Sequence, residues 1–578
     1  MFVNSNPILG ERRKKRYYYG MIQFDEDKQN QRLHDLHDAE EEEFTRMVAE
    51  KQGKEYIDLS KAPIDPDALR LVFEKDAREG NVVVFSMQDK HIRVAHGMDI
   101  TPKTQAVFDA LIGRGYTLQP YLVSHSSLNR GFGHYKELSF AVEAKSGSLD
   151  ISNEEIAELL GQVQTIGDIK KRIDAILTEK KSYKISRVVE IIIAGALATE
   201  ASDIHIEPED VGAVLRYRLD GVLNIVLHFD RETYDLIVNR VKLLSGIKIN
   251  VRNNSQDGRF SVQIKEDVVD LRVSTLPGSN GESAVLRVLN PKTLRTSVED
   301  MGIEPMLLGV LLRAVEKPNG MILTTGPTGS GKTTTLYAFL RKVYSPETKI
   351  ITIENPVEYR IPGIVQSQTD PEHGFTFLHG LRAAVRQDPD IIMIGEIRDE
   401  ETAQTAIDAA LTGHLVFSTL HTNNAAGAYT RFIELGVNPK VITSALTISI
   451  AQRLVRKLCP FCKKEIAPSP EDKQIIEEVL ASIKNREHQT VVNTIWTSVG
   501  CEKCNMTGFK GRIGIFEAIV SDETVEQILT TNPSEREIQK VSENQGFLNL
   551  RQDGVMKILA GISSVHEVNR VIDLHTGN

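Results

Sequence analysis

The stretch that decides the fold is GMILTTGPTGSGKTTTLYAFL, residues 320–340. An apolar run leads into a glycine-rich turn and then a helix-like segment, which together match G-x-x-x-x-G-K-[ST]. The glycines permit a tight loop whose backbone N–H groups converge on phosphate, the lysine neutralises phosphate charge, and the threonine hydroxyl can ligate Mg²⁺. The stretch therefore predicts a nucleotide site made by Gly326, Pro327, Thr328, Gly329, Ser330, Gly331, Lys332, Thr333 and Thr334.

Two carboxylates follow other apolar runs of the same region. Hydrolysis requires an acidic group that holds Mg²⁺ and orients or deprotonates the attacking water. Glu396 ends the run in DPDIIMIGEIRD, and Glu354 ends the run in KIITIENPVEY. Carboxylates at the C-terminal edge of such strands face the crevice where ligands bind in open α/β sheets. The alternative is that each is an exposed strand-end carboxylate without a catalytic role.

Composition restricts the class of protein. The chain has 578 residues, of which 26% are charged and 41% hydrophobic, as in ordinary multi-domain globular proteins. Its net charge of -10 argues against a nucleic-acid backbone as the main partner. No apolar run approaches the roughly 18 residues of a membrane-spanning helix. The basic run ERRKKR is not followed by the apolar core of a secretory signal peptide, so the sequence predicts a cytosolic chain.

Changes in patterning along the chain predict its domains. VVVFS and HIRVAH read as a strand pair and TPKTQAVFDALIGRG as a helix, whereas the C-terminal half alternates apolar strands with helical segments. The predicted segments are a tail with a helix (1–45), an α+β domain (46–146), a helical linker acting as a hinge (147–184), a second α+β domain (185–292), and a mostly parallel, doubly wound α/β domain (293–578).

All four cysteines fall in two C-x-x-C pairs, Cys459 with Cys462 and Cys501 with Cys504. Such pairs place four thiolates around Zn²⁺, and four thiolates leave no open position for catalysis, which predicts a structural zinc subdomain over residues 455–515. The rival interpretation is a dithiol redox site, which needs only one pair and usually a thioredoxin-like surrounding.

Four segments together carry a resemblance to a known family. GPTGSGKTTT, ITIENPVEY, VRQDPDIIMIGEIRD and TGHLVFSTLHTN resemble, in order, the Walker A, Asp box, Walker B and His box of the secretion-ATPase superfamily, which includes the type IV pilus assembly and type II secretion ATPases. The resemblance implies a RecA-like P-loop ATPase domain, a preceding PAS-like α+β domain that closes over it, and an N-terminal α+β domain. It also implies a homohexamer that uses ATP, Mg²⁺ and Zn²⁺.

The resemblance also assigns residue roles. Glu354 resembles the family's general base, Glu396 its organiser of Mg²⁺ and water, and Thr333 the hydroxyl ligand of that Mg²⁺. Arginines delivered by another domain neutralise γ-phosphate charge in the transition state. The remaining positions that match the family's nucleotide-facing residues are Arg259 and Arg272 on the closing domain, Arg382, Arg386, Arg398 and Arg431 on the motor domain, and His414 and His421 in the His box.

The resemblance thus implies a motor that powers type IV pilus assembly through an inner-membrane platform protein and a cytoplasmic adaptor. The family's retraction ATPases generally lack the tetracysteine element and the long N-terminal region, so both features favour extension or secretion. A type II secretion ATPase is the alternative, and a DNA-uptake or conjugation motor is a more distant one. Asn355 and Asn424 stand where the family more commonly has aspartate, which keeps open a nucleotide-binding scaffold that hydrolyses little. No direct nucleic-acid contact is expected, and membrane association would be peripheral and through partners.

Overall fold

The computed structural model describes residues 26–88, 90–136, 142–144, 148–150, 159–161, 163–178, 184–264, 267–291, 296–484 and 492–575. The basic run near the N-terminus, and the part of the predicted linker helix at residues 151–158, lie outside this range. The chain divides into two compact units, the first ending at Leu138 and the second beginning at Ser139. Within the described ranges, every helix is too short or too polar to cross a membrane.

The first unit is an α+β body with a three-stranded sheet. Its first two strands pair antiparallel, which confirms the predicted strand pair, and the third joins the second in parallel. The predicted helix begins after Thr101, whose side chain accepts from the backbone N–H of Thr104 in a capping box. The elements are α1 (Glu26–Gln52), α2 (Pro66–Leu69), α3 (Glu74–Gly80), β1 (Val82–Gln88), β2 (His91–His96), α4 (Pro102–Gly113), β3 (Thr117–Leu122) and α5 (His125–Gly133).

The position of α1 corrects the predicted boundary between residues 45 and 46. The helix runs unbroken from Glu26 to Gln52, so the boundary would divide it. Glu42 on α1 accepts hydrogen bonds from the hydroxyls of Ser124, at 2.6 Å, and Ser127, at 2.5 Å. The helix is therefore tied to the start of α5, and it is part of the first unit.

The second unit begins with an eight-stranded sheet in the order β4-β5-β9-β10-β11-β6-β7-β8. All of its pairs are antiparallel except that of β5 with β9. The elements are β4 (Val142–Ala144), β5 (Ser148–Asp150), α6 (Ile166–Thr178), α7 (Lys184–Ala198), β6 (Asp203–Pro208), β7 (Ala213–Leu219), β8 (Val222–Phe229), α8 (Arg231–Leu244), β9 (Gln256–Ile264), β10 (Asp267–Gly278) and β11 (Gly281–Leu289).

Two sequence predictions about the linker at 147–184 are wrong. Strands β4 and β5 lie on either side of the predicted boundary at residue 146 and both belong to the eight-stranded sheet, so this boundary divides a strand pair. Helix α6 does not form a free hinge, because Ile169 and Ile173 are fully buried in the same core as the strands. The apolar face of α6 explains this difference: those side chains gain burial by packing on the sheet.

The motor region is built on a seven-stranded sheet in the order β14-β13-β15-β16-β12-β17-β20. The pairs are parallel except that of β17 with β20, which confirms the predicted α/β fold with a mostly parallel sheet. Its strands, with those of a small two-stranded sheet, are β12 (Gly320–Thr325), β13 (Ile350–Glu354), β14 (Val365–Gln368), β15 (Ile391–Ile394), β16 (Leu415–Leu420), β17 (Leu446–Leu458), β18 (Lys464–Ile466), β19 (Ile495–Thr497) and β20 (Phe509–Val520).

Helices cover both faces of this sheet, and separate apolar clusters form on its two sides. Every residue of β12, β13, β15 and β16 is buried, as expected for parallel strands enclosed by helices. The helices are α9 (Pro305–Val315), α10 (Lys332–Val343), α11 (Phe377–Val385), α12 (Glu400–Leu411), α13 (Ala426–Glu434), α14 (Pro439–Ala445), α15 (Pro470–Ala481), α16 (Glu523–Thr531), α17 (Glu535–Ser542), α18 (Leu550–Leu559) and α19 (Val565–Val571).

A buried ion pair in the eight-stranded-sheet region generates the first prediction. Lys242 on α8 is fully buried, and its Nζ lies 2.8 Å and 2.9 Å from the carboxylate oxygens of Glu282 and 2.8 Å from the carbonyl of Val251. Replacing Lys242 with methionine leaves the Glu282 carboxylate buried without its cation. The expected loss of stability is about 3 kcal/mol, measured by urea unfolding followed through the tyrosines.

The matched control is Glu209→Gln, which weakens an exposed contact with His228 in the same region and should change stability by less than about 1 kcal/mol. Equal effects of the two variants would contradict the prediction.

Candidate functional site

The glycine-rich loop follows β12 and leads directly into α10. Gly326 and Gly331 have φ values of +146° and +92°, which an L side chain rarely adopts. A Cβ on Gly326 would lie 2.5 Å from the carbonyl oxygen of Gln452, and a Cβ on Gly331 would lie 2.8 Å from the Gln452 side-chain nitrogen. Backbone strain and close packing therefore both require glycine at these two positions.

Lys332 reaches back into the loop. Its Nζ donates to the carbonyls of Gly326, at 2.7 Å, and Pro327, at 3.1 Å, while burial lowers the pKa of the ammonium and the charge of Glu396 opposes that shift. The hydroxyl of Ser330 is buried and finds no hydrogen-bond partner in the described part of the chain. A buried cation held only by neutral carbonyls, beside an unsatisfied hydroxyl, fits an anionic ligand such as a phosphate chain.

The remaining residues of the loop and of the first turn of α10 include several that are exposed to solvent. Thr328 and Gly329 are exposed at the tip, and Thr333 and Thr334 are exposed on the first turn of α10. The hydroxyl of Thr333 is therefore accessible to a ligand at the N-terminus of the helix, where the backbone dipole also favours negative charge.

Glu396 lies just beyond the end of β15 and faces a cavity of about 490 Å³. Its carboxylate is 2.5 Å from an Arg398 guanidinium nitrogen and 3.3 Å from His421 Nε2, and His421 directly follows β16. Arg431 lines the same cavity and pairs with Glu434 at 2.9 Å. The structure thus brings together four of the predicted site residues around one opening.

Glu354 is in a different environment from Glu396. Its side chain is almost completely buried at the end of β13, and its carboxylate accepts hydrogen bonds from Tyr337, from Thr352 at 2.6 Å and from Gln366 at 3.2 Å. Burial raises the pKa of Glu354, and these hydrogen bonds only partly offset the shift. In this conformation the carboxylate contacts neutral donors, in a position that is much less accessible than that of Glu396.

Arg272 and Arg259 stand directly opposite each other on β10 and β9. Arg272 crosses from the eight-stranded sheet to the segment after Glu354, where its guanidinium donates to the carbonyl of Val357 and lies 3.4 Å from the Glu358 carboxylate. Arg259 is exposed. Of the two arginines predicted on the closing domain, Arg272 therefore contacts the motor region of the same chain.

The arginines on and after α11 are not brought to the cavity in this subunit. Arg382 is exposed and lies 3.8 Å from the Glu401 carboxylate, and Arg386 is exposed at the C-terminal end of the helix. Neither lines the cavity that holds Glu396.

His414 is not where the resemblance implies. It precedes β16, and its Nδ1 lies 2.9 Å from the carbonyl of Ala409, whereas His421 follows the last residue of the same strand. A parallel strand of six residues separates its two ends by on the order of 20 Å. Within this subunit His414 therefore lies at the edge of the sheet opposite the glycine-rich loop, and the expectation that it approaches the γ-phosphate is corrected.

Gln452 and Arg453 are polar residues at the loop that the sequence reasoning missed. Both lie on β17, which pairs in parallel with β12. Gln452 accepts from Thr335 Oγ1 at 2.7 Å, and an Arg453 guanidinium nitrogen lies 2.9 Å from the position of a Cβ on Gly326. The stretch AQRLVRKL matches none of the patterns used in the sequence analysis, and only its polar residues within an otherwise apolar strand could have signalled a site.

The four cysteines form one compact cluster. All four sulfur atoms lie within 4.8 Å of one another, and three of the pairs are 3.7 Å to 3.9 Å apart. Tetrahedral zinc with Zn–S bonds of about 2.3 Å gives S···S separations of about 3.8 Å, whereas a disulfide is far shorter. Burial opposes ionisation of Cys504, but hydrogen bonds from the N–H groups of Cys501 and Gly508 and from the Cys501 and Cys462 side chains together outweigh it and lower its pKa to about 7. The arrangement fits a structural zinc ion.

The cysteine cluster also touches the region of the eight-stranded sheet. The backbone N–H of Ile166, at the start of α6, donates to Asn505 Oδ1 at 2.8 Å, and the N–H of Gly511 donates to Asp220 Oδ2 at 2.9 Å. Asn505 follows the second cysteine pair directly and has a φ of +51°. Two hydrogen bonds thus connect the edge of the cluster to residues that are about 300 positions earlier in the chain.

The chain is similar to known proteins of one family. Residues 178–570 match the family model described as Type II/IV secretion system protein. Type II secretion system protein E of Aeromonas hydrophila is 44% identical over 387 residues, which cover 67% of this chain and 75% of that protein. The type IV pilus assembly ATPase PilB of Thermus thermophilus is 36% identical over 537 residues, which cover 91% of this chain but only 57% of that protein. The solved structure of the ATPase DotB of Legionella pneumophila aligns with a TM-score of 0.49 at 22% identity, over 68% of this chain and 97% of that one.

The cysteine cluster generates the second prediction. Removing the metal with a zinc chelator, or replacing Cys504 with serine, should lower the stability of residues 455–515, because a ligand present at 100 times its dissociation constant stabilises by about 2.7 kcal/mol. Hydrogen exchange of this segment measures the loss, and metal analysis of the purified protein gives the zinc content.

Adding back Zn²⁺ should restore protection in the chelated parent and not in the serine variant, while Mg²⁺ serves as the control ion. Unchanged exchange in a metal-free parent would contradict the structural role.

Proposed function

Because the chain belongs to the family of Type II/IV secretion system proteins, we propose that it is an ATPase that powers type IV pilus assembly. The observation that carries the proposal is the arrangement at one edge of the motor sheet. Thr325, which directly precedes the glycine-rich loop, hydrogen-bonds Thr422 of the cavity that Glu396 and His421 also line, and the charge of Glu396 acts on Lys332 of the loop. The reaction would be hydrolysis of ATP to ADP and phosphate.

The site residues divide the chemical work as follows. The loop backbone and Lys332 bind the phosphate chain, and Thr333 with Glu396 would hold Mg²⁺. When bound, that ion neutralises charge on the phosphates. His421 and Arg398, which contact Glu396, keep its carboxylate directed at the cavity. Glu354 serves as the general base, so the residues that bury it must move or open to admit water.

We propose that the region of the eight-stranded sheet closes over the motor region, which would give the chain a mechanical role. Arg272 already links the two through Val357 and Glu358, three and four residues after Glu354. An arginine whose contact with the site depends on the distance between the two regions makes hydrolysis depend on domain position. The exposed Arg259, Arg382 and Arg386 remain available for contacts with a neighbouring subunit in a homohexamer, which we include in the proposal.

The pilus assembly assignment rests on the extent of the similarity. The pilus assembly ATPase aligns over 91% of this chain, so the likeness reaches into the N-terminal unit. The second candidate is a type II secretion ATPase, which is favoured by the higher identity of 44% over a shorter stretch. In either case we propose a cytoplasmic chain, peripheral to the inner membrane, that acts on a platform protein and docks to a cytoplasmic adaptor.

The third prediction separates nucleotide binding from hydrolysis. Lys332→Ala should weaken ADP binding at least about tenfold, since it removes a charge-assisted contact to phosphate. Glu396→Gln should keep that affinity and lower the turnover of ATP at least about 100-fold. Calorimetry and phosphate release measure the two quantities.

A Lys332→Ala variant that hydrolyses ATP as fast as the parent would refute the proposed function. A Glu396→Gln variant with parental turnover would favour the nucleotide-binding scaffold, since the measured hydrolysis would then not depend on this site.

The fourth prediction concerns the pH dependence of kcat. A general base acts as the carboxylate, and burial raises the pKa of Glu354 above the usual 4.5. The rate should therefore be present at neutral pH and fall, as pH is lowered, through a value above 4.5. Glu354→Gln should lower kcat about 100-fold or more and abolish this acid limb. An unchanged profile in that variant would assign the base elsewhere.

A further inference from the structure

Arg453 lies at the glycine-rich loop because of strand pairing. Thr325, the last residue of β12, pairs with Ala451 on β17, so the next residues of β17 run alongside the loop that begins at Gly326. A guanidinium nitrogen of Arg453 is 2.9 Å from the point where a Cβ on Gly326 would stand. The cation is therefore in contact with the first turn of the loop.

The charge of Arg453 is not neutralised by a contacting carboxylate. It is partly buried, and among the described residues its guanidinium donates to two neutral acceptors, the carbonyls of Gln452 at 3.0 Å and Asn423 at 2.6 Å. Burial lowers its pKa, and Glu517 acts on it only from beyond ion-pair distance. An arginine in such a position retains unused donors and an uncompensated charge.

Lys332 is a second cation at the same loop, and it too is held by carbonyls. Among the described residues its ammonium also donates only to carbonyls, and burial lowers its pKa. The charge of Glu396 opposes this shift, and the charge of Arg453 adds to it. Two cations thus repel each other across a loop whose Ser330 hydroxyl lacks a partner in the described part of the chain. A polyanion placed between them would remove the repulsion and satisfy the donors.

We propose that Arg453 is a second cationic ligand of the nucleotide's phosphate chain, acting together with Lys332. The inference rests on the proposed function, because it concerns the same nucleotide site. The carbonyls of Gln452 and Asn423 hold the guanidinium in the nucleotide-free protein. Phosphate oxygens replace the Asn423 carbonyl on binding, which releases the segment that follows His421.

The competing explanation is that Arg453 only ties the segment after His421 to β17. A structural tie of this kind needs donors but no charge, and a partly buried cation with two neutral partners costs more than a neutral amide in the same place. The two explanations differ in one measurable respect: a phosphate ligand affects only nucleotides that carry a phosphate chain, whereas a structural tie affects binding of the nucleoside equally.

The test compares ADP, pyrophosphate and adenosine binding to the full-length parent, Arg453→Gln and Arg453→Lys, by calorimetry. In Arg453→Gln, the affinities for ADP and pyrophosphate should fall about ten- to a hundredfold, as for loss of a charge-assisted hydrogen bond, and that for adenosine should stay within about twofold. Arg453→Lys should keep part of the lost affinity. Arg512→Gln, an exposed residue on the neighbouring β20, is the control for net charge.

Thermal unfolding without nucleotide checks that the variants fold. If Arg453→Gln unfolds at a lower temperature than the parent, the ratio of ADP affinity to adenosine affinity is compared in Arg453→Lys instead. A ratio below that of Arg512→Gln would support the inference. A ratio equal to that of the parent would overturn it. Parental ADP affinity in Arg453→Gln, or an equal loss for ADP and adenosine, would also overturn it. Neither result touches the proposed function, which fails only if Lys332→Ala keeps its turnover.

Discussion

The site depends on the parallel packing of β12 between β16 and β17. Parallel strands point their carboxyl ends to one edge, so the segments that follow them meet there. At this edge the glycine-rich loop follows β12, Glu396 follows β15 and His421 follows β16. Strand β12 is completely buried, and its register is fixed against both neighbouring strands. The position of the loop is set by this register, because the loop directly follows β12.

At this edge of the sheet, a bound anion would neutralise charge and accept hydrogen bonds from several groups at once. Lys332 and Arg453 are held by carbonyls, and the Ser330 hydroxyl is unsatisfied within the described residues. Glu396 contacts a guanidinium and an imidazole group and lines the cavity, whereas Glu354 is enclosed by neutral donors. The two carboxylates therefore differ in burial and in the charge of the groups that contact them, and such a difference in environment is what separate roles in one reaction require.

The region of the eight-stranded sheet and the motor region of the second unit are linked on two sides. Arg272 contacts the segment after Glu354, and Asp220 with the start of α6 contacts the edge of the cysteine cluster. The contact of Arg272 lies close in sequence to Glu354, the proposed general base. The contacts of Asp220 and of the start of α6 lie close in sequence to the cysteines of the proposed zinc site. The movement proposed for these two regions would change at least one of the contacts, and it would then connect the proposed zinc site with the proposed closure.

The sequence by itself determined the motifs whose chemistry is local. The loop from Gly326 to Thr334, the strand-end Glu354 and Glu396, and the two cysteine pairs are recognisable because their function needs fixed residue types at short spacing. The parallel α/β class followed from the alternation of apolar runs and helices. The resemblance placed both histidines at the phosphate, although a strand of six residues holds them at opposite edges of the sheet.

Only the tertiary structure decided which distant residues share a site. Arg453 reaches the loop because β17, more than a hundred residues later, pairs with β12, and no local pattern records such a pairing. The burial of Glu354, the packing of α6 and the course of α1 across the expected boundary likewise depend on long-range contacts. Spacing along a chain reports local geometry, whereas burial and ion pairing are set by residues that become neighbours only on folding.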